Sequence, residues 1–395
     1  MNTTPIQVGD EAVAVPRAPR LPLDPLLTLG IAGLIVCSLV NLAAATRTTI
    51  AGDPHYYVER QAIYIGVGVA VMLVLSRFDY SRLREFKYGI YGVLIVSILA
   101  VLGAGHSTLG AQRSISLPLF NFQASELGKV LLILALSAYV VDRSRHISER
   151  DTTARVMILA LIPTLLVMAQ PDLGSGLVYI AVALTILFVA GTSWKQLTAL
   201  VVLGIVAIAL ALGALPAVGV HVLSRYQEQR LTAFLHPSDN AQSLGYQQNE
   251  SKIAIGSGEK TGRGNNSTQT GFDFLPESST DFVFAALGER YGFVGAALVL
   301  CLYALLIWRA LRILVMSKNL FGTLVAGGIV AMLMFEVFVN VGVTLGILPI
   351  TGIPLPLMSY GGSSVISTFL AVGLLQSIFL QARTAAAYKG RVLRF

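Results

Sequence analysis

The sequence predicts an all-α polytopic membrane protein with about ten transmembrane helices. Two observations carry this. Of 395 residues, 55% are hydrophobic and 12% are charged, roughly half the charged share of a soluble domain. The apolar residues also come in runs of about 17–25, the length that crosses a hydrocarbon core of about 30 Å. A chain in lipid must satisfy its backbone internally, and these runs show no strand-like alternation, so the spans are helices.

In order, the spans are expected at about residues 25–46, 60–76, 87–104, 125–141, 154–170, 172–191, 195–215, 281–308, 320–345 and 362–382. The first run follows a Pro-rich, weakly basic head and is long enough to span, so it is not read as a cleavable signal peptide. Spans four and five are short, and the turn between five and six at Gln170-Pro171-Asp172 is tight. Cys37 and Cys301 each lie inside an apolar run and read as small buried hydrophobes, not as a disulfide or metal pair. The chain therefore divides into a cytoplasmic N-terminal tail (1–24), a ten-helix membrane domain (25–382) holding a long outer loop (216–280), and a cytoplasmic C-terminal tail (383–395).

The net charge of +7 would suggest nucleic acid in a soluble protein. Here it marks topology. With the N-terminus inside, the short inner segments and tails carry 18 Lys and Arg, among them Arg82, Arg84, Arg143, Arg145, Arg309 and Arg312, against four outside, Arg47, Arg60, Arg113 and Lys129. Both termini then face the cytoplasm and residues 216–280 face outward. A connection that long is functional or disordered. Tyr226, Phe234, Tyr246, Phe272, Phe274 and Leu275 argue for one that packs on the membrane domain, with a short amphipathic helix over 223–234.

Ionisable groups at membrane depth are costly and mark candidate sites. Phe122-Gln-Ala-Ser-Glu-Leu-Gly-Lys129 opens span four; Glu126 and Lys129 share a helix face, either as a self-satisfied ion pair or as a cavity wall offering Lys129 to an anionic head group. In Gln170-Pro-Asp-Leu-Gly-Ser-Gly176, Asp172 reads as the cap of span six, a role compatible with lining a cavity. Asp281 lies where the outer loop enters span eight, half desolvated, which suits a general base; the plainer reading is a carboxylate at a helix N-terminus. Glu277 lies in the loop. Glu289 and Arg290, two turns deeper, pair with charges the sequence does not identify. Pro349 to Ser364 carries Pro349, Pro354, Pro356 and Gly361, irregular backbone that is either a plain re-entrant turn or a cavity lining. Its Ser359, Gly361, Gly362 and Ser363 precede the last span and suit phosphate oxygens. Ile255 to Gly264 lacks Walker A spacing and reads as a flexible glycine-rich loop; Lys252 just before it and Arg263 within it are candidates to reach an outer anion. All four places fall on the outer side.

Several long runs resemble the SEDS family (shape, elongation, division and sporulation). They are Phe122 to Lys129, Gln170 to Gly176, Arg230-Leu-Thr-Ala-Phe-Leu-His-Pro, Gly245-Tyr-Gln-Gln, Ser251 to Gly258, Thr268 to Glu277, Thr280-Asp-Phe-Val-Phe and Leu355 to Ser364. The resemblance runs from the first span to the last, and its loop wording is nearer the elongation members than the division members. It implies the ten-helix SEDS fold and a peptidoglycan glycosyltransferase acting on lipid II, with undecaprenyl pyrophosphate leaving. It further implies Asp281 as the essential aspartate and a class B penicillin-binding protein as partner, in the bacterial cytoplasmic membrane. Lys129, Arg113 or a divalent cation (magnesium or manganese) would face the pyrophosphate. The sequence departs from the family at Ala124, Ser114 and Arg290, and the last puts a positive charge where an acid is common. A lipid II flippase and a division-type polymerase are the alternative expectations.

Overall fold

The computed structural model describes residues 23–46, 55–104, 106–108, 111–116, 121–211, 227, 230, 234, 244–270, 274–275 and 277–392. Among these, nine helices are long and apolar enough to cross a membrane, and a tenth apolar helix has 16 residues. They run α1 (Pro25–Ala45), α2 (Tyr56–Arg77), α3 (Lys87–Ala104), α4 (Ala124–Asp142), α5 (Arg150–Met168), α6 (Leu173–Ala190) and the short α7 (Trp194–Ala209). After α8 (Leu244–Ser257), in the long segment that the charge bias expects outside (hence the outer segment), come α9 (Val283–Met316), α10 (Leu320–Thr344) and α11 (Gly362–Val392). The ten expected spans correspond to α1–α7 and α9–α11.

Three features differ from expectation. The last helix continues past 382 to Val392, because nothing between Gln381 and Val392 breaks a helix except Gly390. The link from α3 to α4 is a small antiparallel sheet, β1 (His106–Thr108), β2 (Ala111–Ser116) and β3 (Asn121–Phe122), in that order. Its strands are too short for alternation to show in the sequence. The third is a break inside α9 at Gly292. Of the expected helix over 223–234, Gln227, Arg230 and Phe234 are helical, and the remainder, like Tyr226 and Phe272, lies outside the described residues.

Small residues let the helices approach closely, as packing in lipid requires. A Cβ at Gly68 of α2 would stand 2.2 Å from the Phe369 ring of α11, and one at Gly128 of α4 would stand 2.0 Å from the Tyr179 hydroxyl of α6. The interior belongs mainly to α4, α10 and α11; α3 and α7 turn most of their surface outward, as lipid-facing helices do.

Polar caps tie one end of the bundle together. Asp24 caps α1 through the Leu27 N–H at 2.9 Å, accepts from Arg309 of α9, and donates its own N–H to Gln376 of α11 at 2.7 Å. Asp142 at the end of α4 takes Arg84 at 2.6 Å and also Lys87. The candidate residues gather at the opposite end.

Candidate active site

The broken run before α11 is stitched to the turn before α9. Tyr360 N–H donates to Ser279 O at 2.8 Å, and Ser359 Oγ donates to Thr280 O at 2.6 Å while accepting from Leu355 N–H at 2.8 Å. Asn340 of α10 adds a fork: Nδ2 donates to Asp281 O at 3.0 Å and to Ile353 O at 2.9 Å. Pro354 and Pro356 have no N–H to give a helix, so this segment finds its partners sideways. Gln61 of α2 donates to Ser359 O at 3.2 Å and accepts from Gly361 N–H at 3.4 Å; Tyr303 of α9 donates to Pro356 O at 2.5 Å. Asp281 itself is half-buried. Glu277, four residues earlier, is exposed at φ 58° and accepts from the Thr280 hydroxyl at 2.6 Å.

The start of α4 joins the start of α6. Asp172 caps α6 through Ser175 N–H at 3.0 Å, and its second oxygen accepts from Ser125 at 2.9 Å and Gln123 at 3.3 Å. Gln170 is buried and donates to Ile98 O of α3 at 2.7 Å. Ser363 then links this pair to α11: it accepts from Gln123 N–H at 2.9 Å and donates to Asn121 O at 2.8 Å. Gly362 is the buried first residue of α11. The four sequence segments thus form one hydrogen-bonded assembly.

Lys129 is 2% exposed and stands between two carboxylates. It meets Glu126 at 2.8 Å, one turn away on α4, and Glu336 of α10. The ion pair anticipated for Glu126 and Lys129 is present, and Glu336 makes it a triad. The ammonium is turned into this cluster. Arg113 falls at the register shift between β1 and β2, its side chain outside the described residues. Lys252 is exposed on α8, with its side chain against Gly346.

The outer segment is built into the membrane domain through α9. At Gly292 the backbone takes φ 61° and ψ −160°, a region essentially restricted to glycine, and the helix breaks. A broken helix leaves N–H and C=O groups without partners. Residues 259–263 supply them: Phe293 N–H donates to Glu259 O at 2.9 Å, Val294 N–H to Lys260 O at 3.1 Å, and Arg263 N–H to Glu289 O at 2.9 Å. The glycine-rich run is therefore a fitted plug, not a slack loop. A Cβ at Gly262 would lie 2.1 Å from Arg290 O. Glu289, fully buried, accepts from the N–H groups of Thr268, Gln269 and Thr270 at 2.7–3.0 Å and from the Thr270 hydroxyl at 2.8 Å. Its partners are backbone donors, and Arg290 turns to Asn265 Oδ1 at 3.1 Å.

Sequence reasoning passed over Glu336, Asn340 and Gln61. Glu336 had a signal, being the one ionisable residue in the apolar run 320–345. Among the described residues, no group of three His, Cys, Asp or Glu side chains is placed to hold a metal ion. The expected divalent cation therefore has no fitted donor set here, and no chemical step is routed through it.

The family model described as "Cell cycle protein", covering FtsW, RodA and SpoVE, matches residues 21–384. The chain belongs to this FtsW/RodA/SpoVE family. Among curated proteins, this family member is similar to the peptidoglycan glycosyltransferase MrdB of Escherichia coli strain K12, 36% identical over 91% of this chain and 94% of that one. It is also 32% identical to stage V sporulation protein E of Bacillus subtilis, over 84% of this chain and 89% of that one. A solved chain from a peptidoglycan synthase complex that coordinates polymerization and crosslinking superposes with TM-score 0.77 at 31% identity, covering 92% of this chain and 99% of that one. RodA of Thermus thermophilus superposes with TM-score 0.66 at 29% identity, over 92% and 98%. This FtsW/RodA/SpoVE member is an integral membrane protein with the fold of those relatives.

Proposed function

We propose that this protein is a peptidoglycan glycosyltransferase that polymerises lipid II into glycan strands during cell elongation, with Asp281 as general base. The carrying observation is the position of Asp281. It sits half-buried where the turn before α9, the proline-broken run and α10 are joined through Asn340. A carboxylate at that junction is a candidate proton acceptor for a substrate hydroxyl.

In this reading Asp281 takes the proton from the acceptor sugar's 4-hydroxyl. That oxygen attacks the anomeric carbon of the growing chain, and the bond to undecaprenyl pyrophosphate breaks. The charge to be stabilised lies on the pyrophosphate. Lys129 is already flanked by Glu126 and Glu336, so Arg113 on β2 and Lys252 on α8 are better placed in charge terms to meet it. The α4–α6 junction, with Asp172, Gln170 and Ser363, forms the polar floor, and Ser359, Gly361 and Gly362 keep the broken run in place.

The protein sits in the bacterial cytoplasmic membrane with both termini inside and this site on the outer face, the arrangement supported by the Lys and Arg bias. Its partner is a class B penicillin-binding protein, a reading supported by the synthase complex among its structural relatives. The test is glycan polymerisation from lipid II by purified protein, with and without that transpeptidase. Asp281→Asn should abolish product. Retained polymerisation would remove the base role, and lipid II movement across proteoliposomes without elongation would favour a flippase.

A further inference from the structure

We propose that Arg230 is the positioning residue for Asp281, holding its carboxylate against Gly352 in the geometry a base requires; this rests on the base reading above. The observation is a meeting at one glycine. Gly352 has φ +74°, and a Cβ built there would lie 3.0 Å from Arg230 Nη1, 3.4 Å from Nη2 and 3.5 Å from Asp281 Oδ2. A guanidinium from the outer segment and the carboxylate at the head of α9 therefore border the same missing side chain. Only glycine leaves both the space and the backbone conformation for this.

Each participant is fixed independently. Arg230 is 7% exposed, deep burial for a guanidinium. Three residues before it, Gln227 donates to Met168 O at 3.2 Å, which anchors this part of the chain on the end of α5. Asp281 and the neighbouring Ile353 share the Asn340 fork. The far side of the 351–353 turn is closed by α6, where a Cβ at Gly174 would stand 2.9 Å from Thr351 O and 2.6 Å from Ile353 Cγ1. The turn is thus gripped by α6, α10 and the outer segment together, and Arg230 is the cation delivered to its edge.

Most other charges around the site have their own partners. Glu336, one turn from Asn340 on α10, is held with Glu126 by Lys129. Asp172 caps α6, Glu277 takes the Thr280 hydroxyl, and Glu289 takes Thr268 to Thr270. Arg60 of α2 lies 4.5 Å over the Tyr56 ring, and Lys252 lies against Gly346. A nearby cation favours an ionised carboxylate. Arg230 therefore keeps Asp281 proton-free and aimed, and its fork geometry suits that task better than an ammonium does.

The experiment is the pH profile of kcat/KM for lipid II polymerisation by the full-length protein. Removing a cation favours the neutral acid, so in Arg230→Ala the acidic limb should move to higher pH by about one unit or more, with a rate loss of roughly 10-fold or greater. Added guanidinium should restore part of the rate in Arg230→Ala, and Arg230→Lys should keep the limb close to wild type. If Arg230→Ala does not accumulate, Arg230→Gln, which keeps the reach without the charge, carries the same comparison. An unmoved acidic limb with no guanidinium rescue overturns the positioning role. If that happens while Asp281→Asn is inactive, the base reading survives alone; if Asp281→Asn is active, the base reading itself has failed.

Discussion

The Ser359 hydroxyl reaches 2.6 Å to the carbonyl oxygen of Thr280, the residue immediately before Asp281. It also accepts from Leu355 N–H, so one small side chain closes the broken run on itself and fastens it to the turn bearing Asp281. Ser359→Ala leaves the buried Leu355 N–H and the part-buried Thr280 carbonyl unmet. A loss of about 1–3 kcal/mol is expected, seen as a lower melting temperature in detergent, with a larger proportional drop in polymerisation. Unchanged melting and activity would mean that the clasp does not hold the turn.

The Lys129 triad makes a sharper prediction. Lys129→Met strands Glu126 and Glu336 in the interior, and breaking a buried pair this way costs about 3–5 kcal/mol. The variant should fail to accumulate or should melt early. Adding Glu126→Gln and Glu336→Gln in the same chain removes the stranded charges and should recover most of the folded protein, measured by size-exclusion chromatography. If the single change is as stable as wild type, the triad is not formed in the membrane.

Glu289→Gln tests the anchor of the outer segment. An amide can still accept from Thr268 and Gln269, but its NH2 group then faces the donors of Thr270. Hydrogen bonds to a charged acceptor contribute about 1.5–3 kcal/mol, so residues 268–275 should become more sensitive to protease added from outside. The transmembrane helices should stay intact. Equal cleavage rates in both proteins would show that this carboxylate does not secure the segment.

Gly292→Ala should be among the most damaging substitutions in the chain. The backbone there has φ 61° and ψ −160°, and a Cβ would lie 2.4 Å from Gly262 N and 2.7 Å from Gly258 O. Strain at such a position is on the order of 1–3 kcal/mol before any clash is counted. Gly256→Ala on α8 is the mild control, since nothing lies within 4 Å of where its Cβ would stand. Wild-type accumulation of Gly292→Ala would contradict the break in α9.

The spans were legible in the sequence because a long apolar run bounded by charge is stable almost nowhere but in lipid. Asp172 was readable as a cap because capping is local, three residues to Ser175 N–H. Relationships across the chain were not readable. Nothing in Arg230 or Gly352 alone says that they meet, and a glycine inside an apolar helix such as Gly292 looks the same whether the helix bends, breaks or runs straight. Glu289 resembled a group waiting for a cation because sequence shows side chains and hides the backbone donors that took it. Glu336 stood out only by the cost of burying its charge, with no motif around it to draw the eye.

The break at Gly292 has a mechanical consequence. Residues 259–263 are spliced into the gap, so backbone hydrogen bonds couple the segment after α8 to the short stub 283–291, whose near end carries the turn bearing Asp281. A partner that clasps α8 would be holding a crank, with a small tilt there felt at the turn bearing Asp281.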